Sequence, residues 1–402
     1  MNLSKNRTVF TLLVASLILI VGMAVIFWGR GFKPDLKNGR IGHTGLIVAT
    51  SIPTGAQVYL NDRLTSATDT NIAYLDPGNY KVRIQKDGYT TWEKEIPIKA
   101  DLATEIKTLL FPTAPQITPL TTTGASGPTL SPDHSKLVYG VSGVRGGAYV
   151  LPLDNRIFPF RQDARLLAKN TGLIDFSKAR FTWDPDSKQI IAQFTDTNGT
   201  ATANLILDSD KTDQNATDVT ASLNSLIASW QDTLATRAQT QGVSLPQSVK
   251  DATATAAQPS PSPSPSPNSI LNSQFSILNL NYFPTGLILS PDEQKVLYKI
   301  NPPTGGGKYK VYDLKEKKEF TIPDFADFIN IAWFPDSAHL VVAQKNLISV
   351  IDQDGTNKMG IYSGKFEDGF VFAHPSGNRI IILTTLTQQE GTPPNLYGIN
   401  LK

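Results

Sequence analysis

The chain reads as an all-β protein with one N-terminal transmembrane helix. A small β-sandwich comes first, then a β-propeller of about five blades that carries a helical and Pro/Ser-rich insertion. Three observations lead there. A Pro-centred turn recurs as Ser131-Pro132-Asp133, Asp184-Pro185-Asp186-Ser187, Ser290-Pro291-Asp292, Phe334-Pro335-Asp336-Ser337 and His374-Pro375-Ser376-Gly377, each time just ahead of an apolar strand. Self-similarity at ~40–50 residues is the signature of repeated four-stranded blades. Residues 44–112 hold short alternating apolar and polar runs between Gly and Pro turns, the pattern of strands with one buried and one wet face. Residues 8–29 contain no charged side chain over 22 positions.

A short tail, residues 1–7, precedes that apolar run. As a helix the run measures ~33 Å at ~1.5 Å per residue, enough to cross a ~30 Å hydrocarbon core. Trp28 ends it where an interfacial aromatic belongs, and Ala24-Val25-Ile26 offers no small-x-small cleavage site. Residues 8–29 are therefore expected to be an uncleaved signal anchor whose partner is the lipid bilayer. Lys5 and Arg7 precede it, whereas Arg30, Lys33, Lys37 and Arg40 follow. The charge count by itself slightly favours a cytoplasmic C-terminal part. A short basic N-terminus before one span and a large remainder argues the opposite, and a single-pass protein with its C-terminal domains outside the cytoplasm is expected. Residues 30–43 read as a tether.

In residues 44–112, Leu46–Ala49, Val58–Leu60, Tyr80–Lys86 and Trp92–Ile98 are the strand runs, and Asn61-Asp62, Asp76-Pro77-Gly78 and Lys86-Asp87-Gly88 are the turns between them. The order Ser51-Ile52-Pro53-Thr54-Gly55-Ala56, then Val58-Tyr59-Leu60-Asn61, then Leu75-Asp76-Pro77-Gly78-Asn79-Tyr80, then Lys86-Asp87-Gly88-Tyr89 and Trp92 resembles the PEGA domain. The family's naming tetrapeptide stands here as Pro53-Thr54-Gly55-Ala56, with Thr in place of Glu. The resemblance implies a small extracytoplasmic β-sandwich, of a kind associated with envelope and surface-layer proteins.

Residues 113–127 read as a linker and residues 128–402 as the propeller. The turn prolines are 53, 106, 44 and 40 residues apart. Each turn leads into a strand: Leu137–Tyr139, Ile190–Ala192, Val296–Tyr298, Leu340–Val342 and Ile380–Leu383. A second strand follows in each unit, such as Ala148–Asp154 or Leu347–Asp352. The pattern resembles the WD40-like repeats of TolB-type β-propellers. Trp183 and Trp333 occupy that family's Trp position, while Leu130, Leu289 and Ala373 depart from it. Five blades of ~42 residues account for the length, with room for a sixth, degenerate one near residues 150–175 or 270–285. The double-length spacing places an insertion at 209–276. Its first part, about 219–238, is a helix with Leu223, Leu226, Ile227, Trp230 and Leu234 on one stripe. Its second part, 258–268, alternates Pro and Ser and is an extended tether. The helix is expected to pack on the flank of the propeller; the alternative is a partner-docking element.

Chemistry is sparse. There is no cysteine, which excludes disulfides, thiolate catalysis and Cys-based zinc sites. Lys and Arg number 37 against 35 Asp and Glu, and a nucleic-acid partner is not expected. His43, His134, His339 and His374 show no metal-ligand spacing, and no metal or cofactor is expected. Asp133, Asp186, Asp292 and Asp336 recur at one turn position, which suits backbone capping better than a ring of cation ligands. No G-x-S-x-G elbow occurs, and Gly305-Gly306-Gly307-Lys308 lacks P-loop spacing. No catalytic, cofactor-binding or metal residue is nominated. The expectation is a non-catalytic envelope protein that binds or scaffolds an envelope protein through its propeller. The alternative is a module for glycan or cell-wall or surface-layer polymer, with Tyr59, Tyr89 and Trp92 as stacking platforms.

Overall fold

The computed structural model describes residues 3–29, 32–35, 40–153, 164–196, 201–240, 287–300, 308–367, 369–386 and 391–401. The Pro/Ser stretch 258–268, Asn198 and Gly305 to Gly307 lie outside the described residues. The chain divides into two units, Met1–Thr113 and Ala114–Lys402.

The first unit begins with helix α1, Leu3–Gly29, 27 residues long. At ~1.5 Å per residue its backbone runs about 40 Å. Its side chains are described over residues 10–26, where Phe10, Leu12, Leu17, Ile20 and Ile26 are all exposed. Among the described residues no helix is long and apolar enough to cross a membrane. The expected tether contains a two-stranded hairpin instead, Phe32–Asp35 against Arg40–His43. The two strands hold the β-prone residues Phe32 and Ile41.

Beyond it stand two sheets. Thr70–Leu75, Gly45–Ile52 and Ala103–Leu109 form a three-stranded sheet in that order, with the last two strands parallel. Arg63–Ala67, Gln57–Leu60, Gly78–Gln85 and Trp92–Ile98 form a four-stranded antiparallel one. Alternate side chains of both converge on one core: Ile47, Ala49, Val58, Leu60, Val82, Ile84, Trp92 and Ile106. Gly45 permits the sheets' close approach, because a Cβ there would lie 2.4 Å from the Ile98 side chain.

The second unit contains five four-stranded antiparallel sheets among the described residues. The first blade is Ser126–Leu130, Lys136–Val141, Gly147–Pro152 and Arg165–Lys169, in spatial as in chain order. The second is Arg180–Trp183, Gln189–Thr195, Ala201–Asp208 and Thr217–Asp218. Its outer strand thus falls inside the stretch the sequence assigned to the insertion. The third is Leu287–Leu289, Lys295–Ile300, Lys308–Asp313 and Lys318–Thr321; the fourth is Phe328–Trp333, His339–Gln344, Leu347–Asp352 and Met359–Ser363. The fifth is made from both ends of the unit. Val371–Ala373, Arg379–Thr384 and Asn395–Asn400 are joined by Ile117–Pro119 as the outermost strand. That strand closes the ring. Thr121 and Asn395 bolt the closure: Thr121 Oγ1 donates to Asn395 Oδ1 at 3.0 Å, and Gly124 N to the same oxygen at 2.9 Å.

Successive blades share their cores. Val138, Val150 and Leu167 of the first meet Phe181, Trp183, Ile190 and Leu205 of the second. Leu297 and Val311 of the third meet Ile331, Leu340 and Ile351 of the fourth, and Leu137, Tyr139 and Leu151 of the first meet Ile381, Leu383 and Leu396 of the fifth. The far face of the second blade is covered differently. Helix α2, Leu223–Thr240, lays Leu223, Ile227 and Trp230 on Ile191. The helix therefore packs on the propeller's flank, as its apolar stripe requires.

Candidate functional site in the two rims of the ring

Because every blade is antiparallel, its connections fall on alternate rims. One rim carries the Pro-centred turns and the links between third and fourth strands. All five turns are built alike. The N–H of the residue before Pro donates to the carbonyl five positions on, and the fourth residue's N–H donates back to that first residue's carbonyl, at 2.7–3.1 Å throughout. The fourth residue lies in the left-handed region each time: His134, Ser187, Glu293, Ser337 and Gly377, with φ between 57° and 63°. This is a type I turn closed by a left-handed residue, a standard way to join twisted strands. Only the fifth turn places glycine there. Glu293 is exposed, so Glu293→Gly is expected to raise stability by up to about 1 kcal/mol. Thermal unfolding checks it; an unchanged or lowered midpoint counts against the assignment.

The turn carboxylates act on the backbone. Asp133 accepts from Ser135 N at 3.0 Å, Asp292 from Gln294 N at 3.1 Å and Asp336 from Ala338 N at 2.9 Å. In the second turn the carboxylate shown doing this is Asp184, bonded to Lys188 N at 2.7 Å and Gln189 N at 2.8 Å. Asp184 stands where Ser131 and Ser290 stand in their turns, and a longer acceptor there reaches both amides.

The same rim ties neighbouring blades together. Asp133 N donates to Ser187 Oγ at 3.1 Å, and Asp292 N to Ser337 Oγ at 3.0 Å. Lys136 Nζ donates to Ser209 Oγ and Asp210 Oδ1, both at 2.9 Å, and Lys295 Nζ to the Ser337 carbonyl at 3.1 Å. Deeper in, Trp183 Nε1 donates to Thr129 O at 3.1 Å and Trp333 Nε1 to Ile288 O at 2.9 Å. The first and second blades are thus joined by the same device as the third and fourth, and the polar atoms of these turns are spent on the fold.

The histidines are scattered. His43 is exposed beside Asp101 at 2.9 Å, and His134 holds a turn. His374 accepts from Ser376 N at 3.2 Å; burial, with Arg379 adding to it, pushes its pKa down to about 4, so the ring is neutral at physiological pH. His339 is buried, with Nδ1 2.6 Å from Asp336 and Nε2 3.4 Å from Asp352. Among the described residues no group of three His, Asp or Glu could hold a metal ion. Burial pulls the Asp336 carboxyl upward, but its bond to His339, that ring's charge and the turn amides outweigh this and hold it below the usual range. A depressed carboxylate adds stability above its unfolded value and loses it as pH falls through the lower folded one. Wild type is therefore expected to lose more stability than Asp336→Asn between pH 6 and pH 3, read as urea midpoints. Parallel slopes would refute it.

The three aromatics nominated as stacking platforms do not form one surface. Trp92 is in the sandwich core. Tyr59 lies on the opposite face of the same sheet, beneath Arg83 at 4.5 Å. Tyr89 packs against the core from a bridge to Pro112. Period-2 alternation sends Val58 and Trp92 inward and Tyr59 outward, so no shared sugar platform results.

The other rim gathers the hairpins between second and third strands and the connections from blade to blade. Its lengths vary, from Lys345-Asn346 to residues 385–394. Among the described residues, Val144, Leu173, Ile329 and Leu386 are exposed large apolar side chains on it. The first two come from adjacent loops clamped by Asn170. Its Nδ2 donates to Val141 O at 3.0 Å and Gly143 O at 3.1 Å, its N to Gly146 O at 3.0 Å, and its Oδ1 accepts from Phe176 N at 2.9 Å. These were not nominated from sequence. The signal was present as apolar residues inside glycine turns, Gly143-Val144-Arg145-Gly146 and Gly172-Leu173.

The PEGA domain family model matches residues 44–113, which the seven-stranded sandwich occupies. Residues 44–113 form a PEGA domain. No curated protein matches the chain. Among solved structures, the chain is similar to a TolB from Agrobacterium tumefaciens at 14% identity and a TM-score of 0.24, covering 69% of this chain and 79% of that one. It is similar to TolB from Acinetobacter baumannii at 10% identity and 0.25, covering 80% of this chain but only 59% of that one. An oligogalacturonate lyase in complex with manganese is similar at 9% identity and 0.31, covering 81% and 86%. The sheet order of the second unit and its closing strand define the propeller.

Proposed function

We propose that this protein is a non-catalytic, single-pass membrane protein of the cell envelope, with its PEGA domain and propeller outside the cytoplasm, serving to bind or scaffold another envelope protein. The observation that carries the reading is the contrast between the rims. One spends its polar atoms on turns and blade-to-blade bonds. The other offers loops of unequal length with exposed Ile329 and Leu386, the kind of mixed surface that recognises a protein. The anchor is residues 8–29, an uncharged run within α1 whose described side chains are exposed and, Thr11 and Ser16 apart, apolar or glycine. No cofactor, metal or nucleic acid enters this reading.

Two experiments test it. Protease added to intact spheroplasts should remove the C-terminal part; protection until the membrane is broken would reverse the topology. A photocrosslinking residue at Ile329 or Leu386 should capture a defined envelope protein in cells, whereas one at Glu316 or Asp354, on the opposite rim, should not. Equal capture at all four positions would sink the rim assignment.

A further inference from the structure

Val144 and Leu173 are the most exposed apolar side chains in the described structure, at 101% and 99% of their full accessible surface. Neither lies on a floppy excursion. Asn170 binds both loops through its side chain and backbone, and Thr171 Oγ1 accepts from Ile174 N at 3.2 Å while Thr171 N donates to Ile174 O at 2.9 Å. The result is two aliphatic prongs on a stiff base.

The charges around the prongs have one dominant sign. Arg145 adjoins Val144, and Lys178 and Arg180 follow on the connection from Leu173 into the second blade; all three are exposed. Of the nearby acids, Asp175 is used inside its turn, accepting from Ser177 N at 3.1 Å and Ser177 Oγ at 2.7 Å. Asp213 pairs with Lys169 at 2.8 Å. Asp196, at the end of the neighbouring strand, is exposed as well.

We propose that this corner of the rim is a lipid-contact element: Val144 and Leu173 enter the interfacial layer of an anionic bilayer while Arg145, Lys178 and Arg180 meet its headgroups. Convex aliphatic tips ringed by cations match a soft anionic surface, whereas protein recognition favours aromatic and arginine anchors in matched pockets. Two side chains bind lipid weakly on their own. The proposal rests on the anchor reading above, because a chain already tethered to the bilayer meets lipid at high effective concentration, where weak contact suffices. Contact at the first and second blades leaves Ile329 and Leu386, on the fourth and fifth, to a protein partner.

The absence of native cysteine makes the test direct. Full-length Val144→Cys, Leu173→Cys and, as control, Glu316→Cys are labelled with an environment-sensitive nitrobenzoxadiazole dye. Each is reconstituted into phosphatidylglycerol-containing vesicles bearing doxyl-labelled lipid. Quenching of about twofold or more is expected at positions 144 and 173 and none at 316. Exchanging the lipid for phosphatidylcholine, or combining Arg145→Gln, Lys178→Gln and Arg180→Gln, should abolish it. Flotation separates the two readings. A chain that floats with vesicles but shows no quenching at 144 and 173 overturns this proposal and leaves the anchor standing. A chain that does not float overturns the anchor and this proposal with it. Quenching at 316 equal to that at 173 also overturns it.

Discussion

Trp183→Ala is expected to lower the unfolding free energy of the propeller by about 3–5 kcal/mol, the range for removing a buried aromatic. Trp183 fills the core between the first and second blades and donates to the Thr129 carbonyl, so the change opens a cavity and removes the donor of a half-buried carbonyl. Trp183→Phe separates the two effects: it keeps most of the volume and should cost about 1–2 kcal/mol. Trp333→Ala should behave the same way at the third and fourth blades, where the indole reaches Ile288 O. Urea unfolding followed by circular dichroism reads all three. A loss below about 1 kcal/mol in both alanine variants would show that the indoles do not hold the blades together.

The second large effect concerns α2. Ile227 is buried against Ile191 together with Leu223 and Trp230, so Ile227→Asp would place an unpaired charge in that contact. A loss of roughly 3 kcal/mol is expected, with a red shift in Trp230 emission as the helix leaves the blade. The control is Thr233→Asp, because the Thr233 hydroxyl faces outward, donating to the Ser229 carbonyl on the helix itself at 3.0 Å. It should change stability by less than about 0.5 kcal/mol. If Ile227→Asp is as mild as the control, α2 is an appendage and not part of the propeller's packing.

The turns were legible because their logic is local. Pro fixes one dihedral, the next carboxylate reaches an amide two residues on, and the strand that follows shows its apolar run within six residues. The sandwich was legible for a similar reason: alternation at Tyr80–Lys86 and Trp92–Ile98 records which side of a sheet is wet. Where local logic failed, a non-local partner had intervened. Tyr59 and Trp92 looked like companions in sequence terms but occupy opposite faces of one sheet. The stretch beginning at residue 209 looked like an insertion until Thr217–Asp218 paired with Leu205 and Ile206.

The recurring Pro turn, the alternating strands, the uncharged N-terminal run and the apolar stripe of α2 are all written within windows of a few to a few dozen residues. Local sterics and hydrophobic period suffice to specify them. Who meets whom across the ring is another matter. Ser187 completes the turn of Asp133 from 54 positions away, and Ile117–Pro119 closes a blade with strands near residue 400. Likewise Val144 and Leu173 become one surface only because Asn170 joins their loops. Such pairings follow from closing a circle of blades, and closure is a property of the whole chain that no single segment encodes.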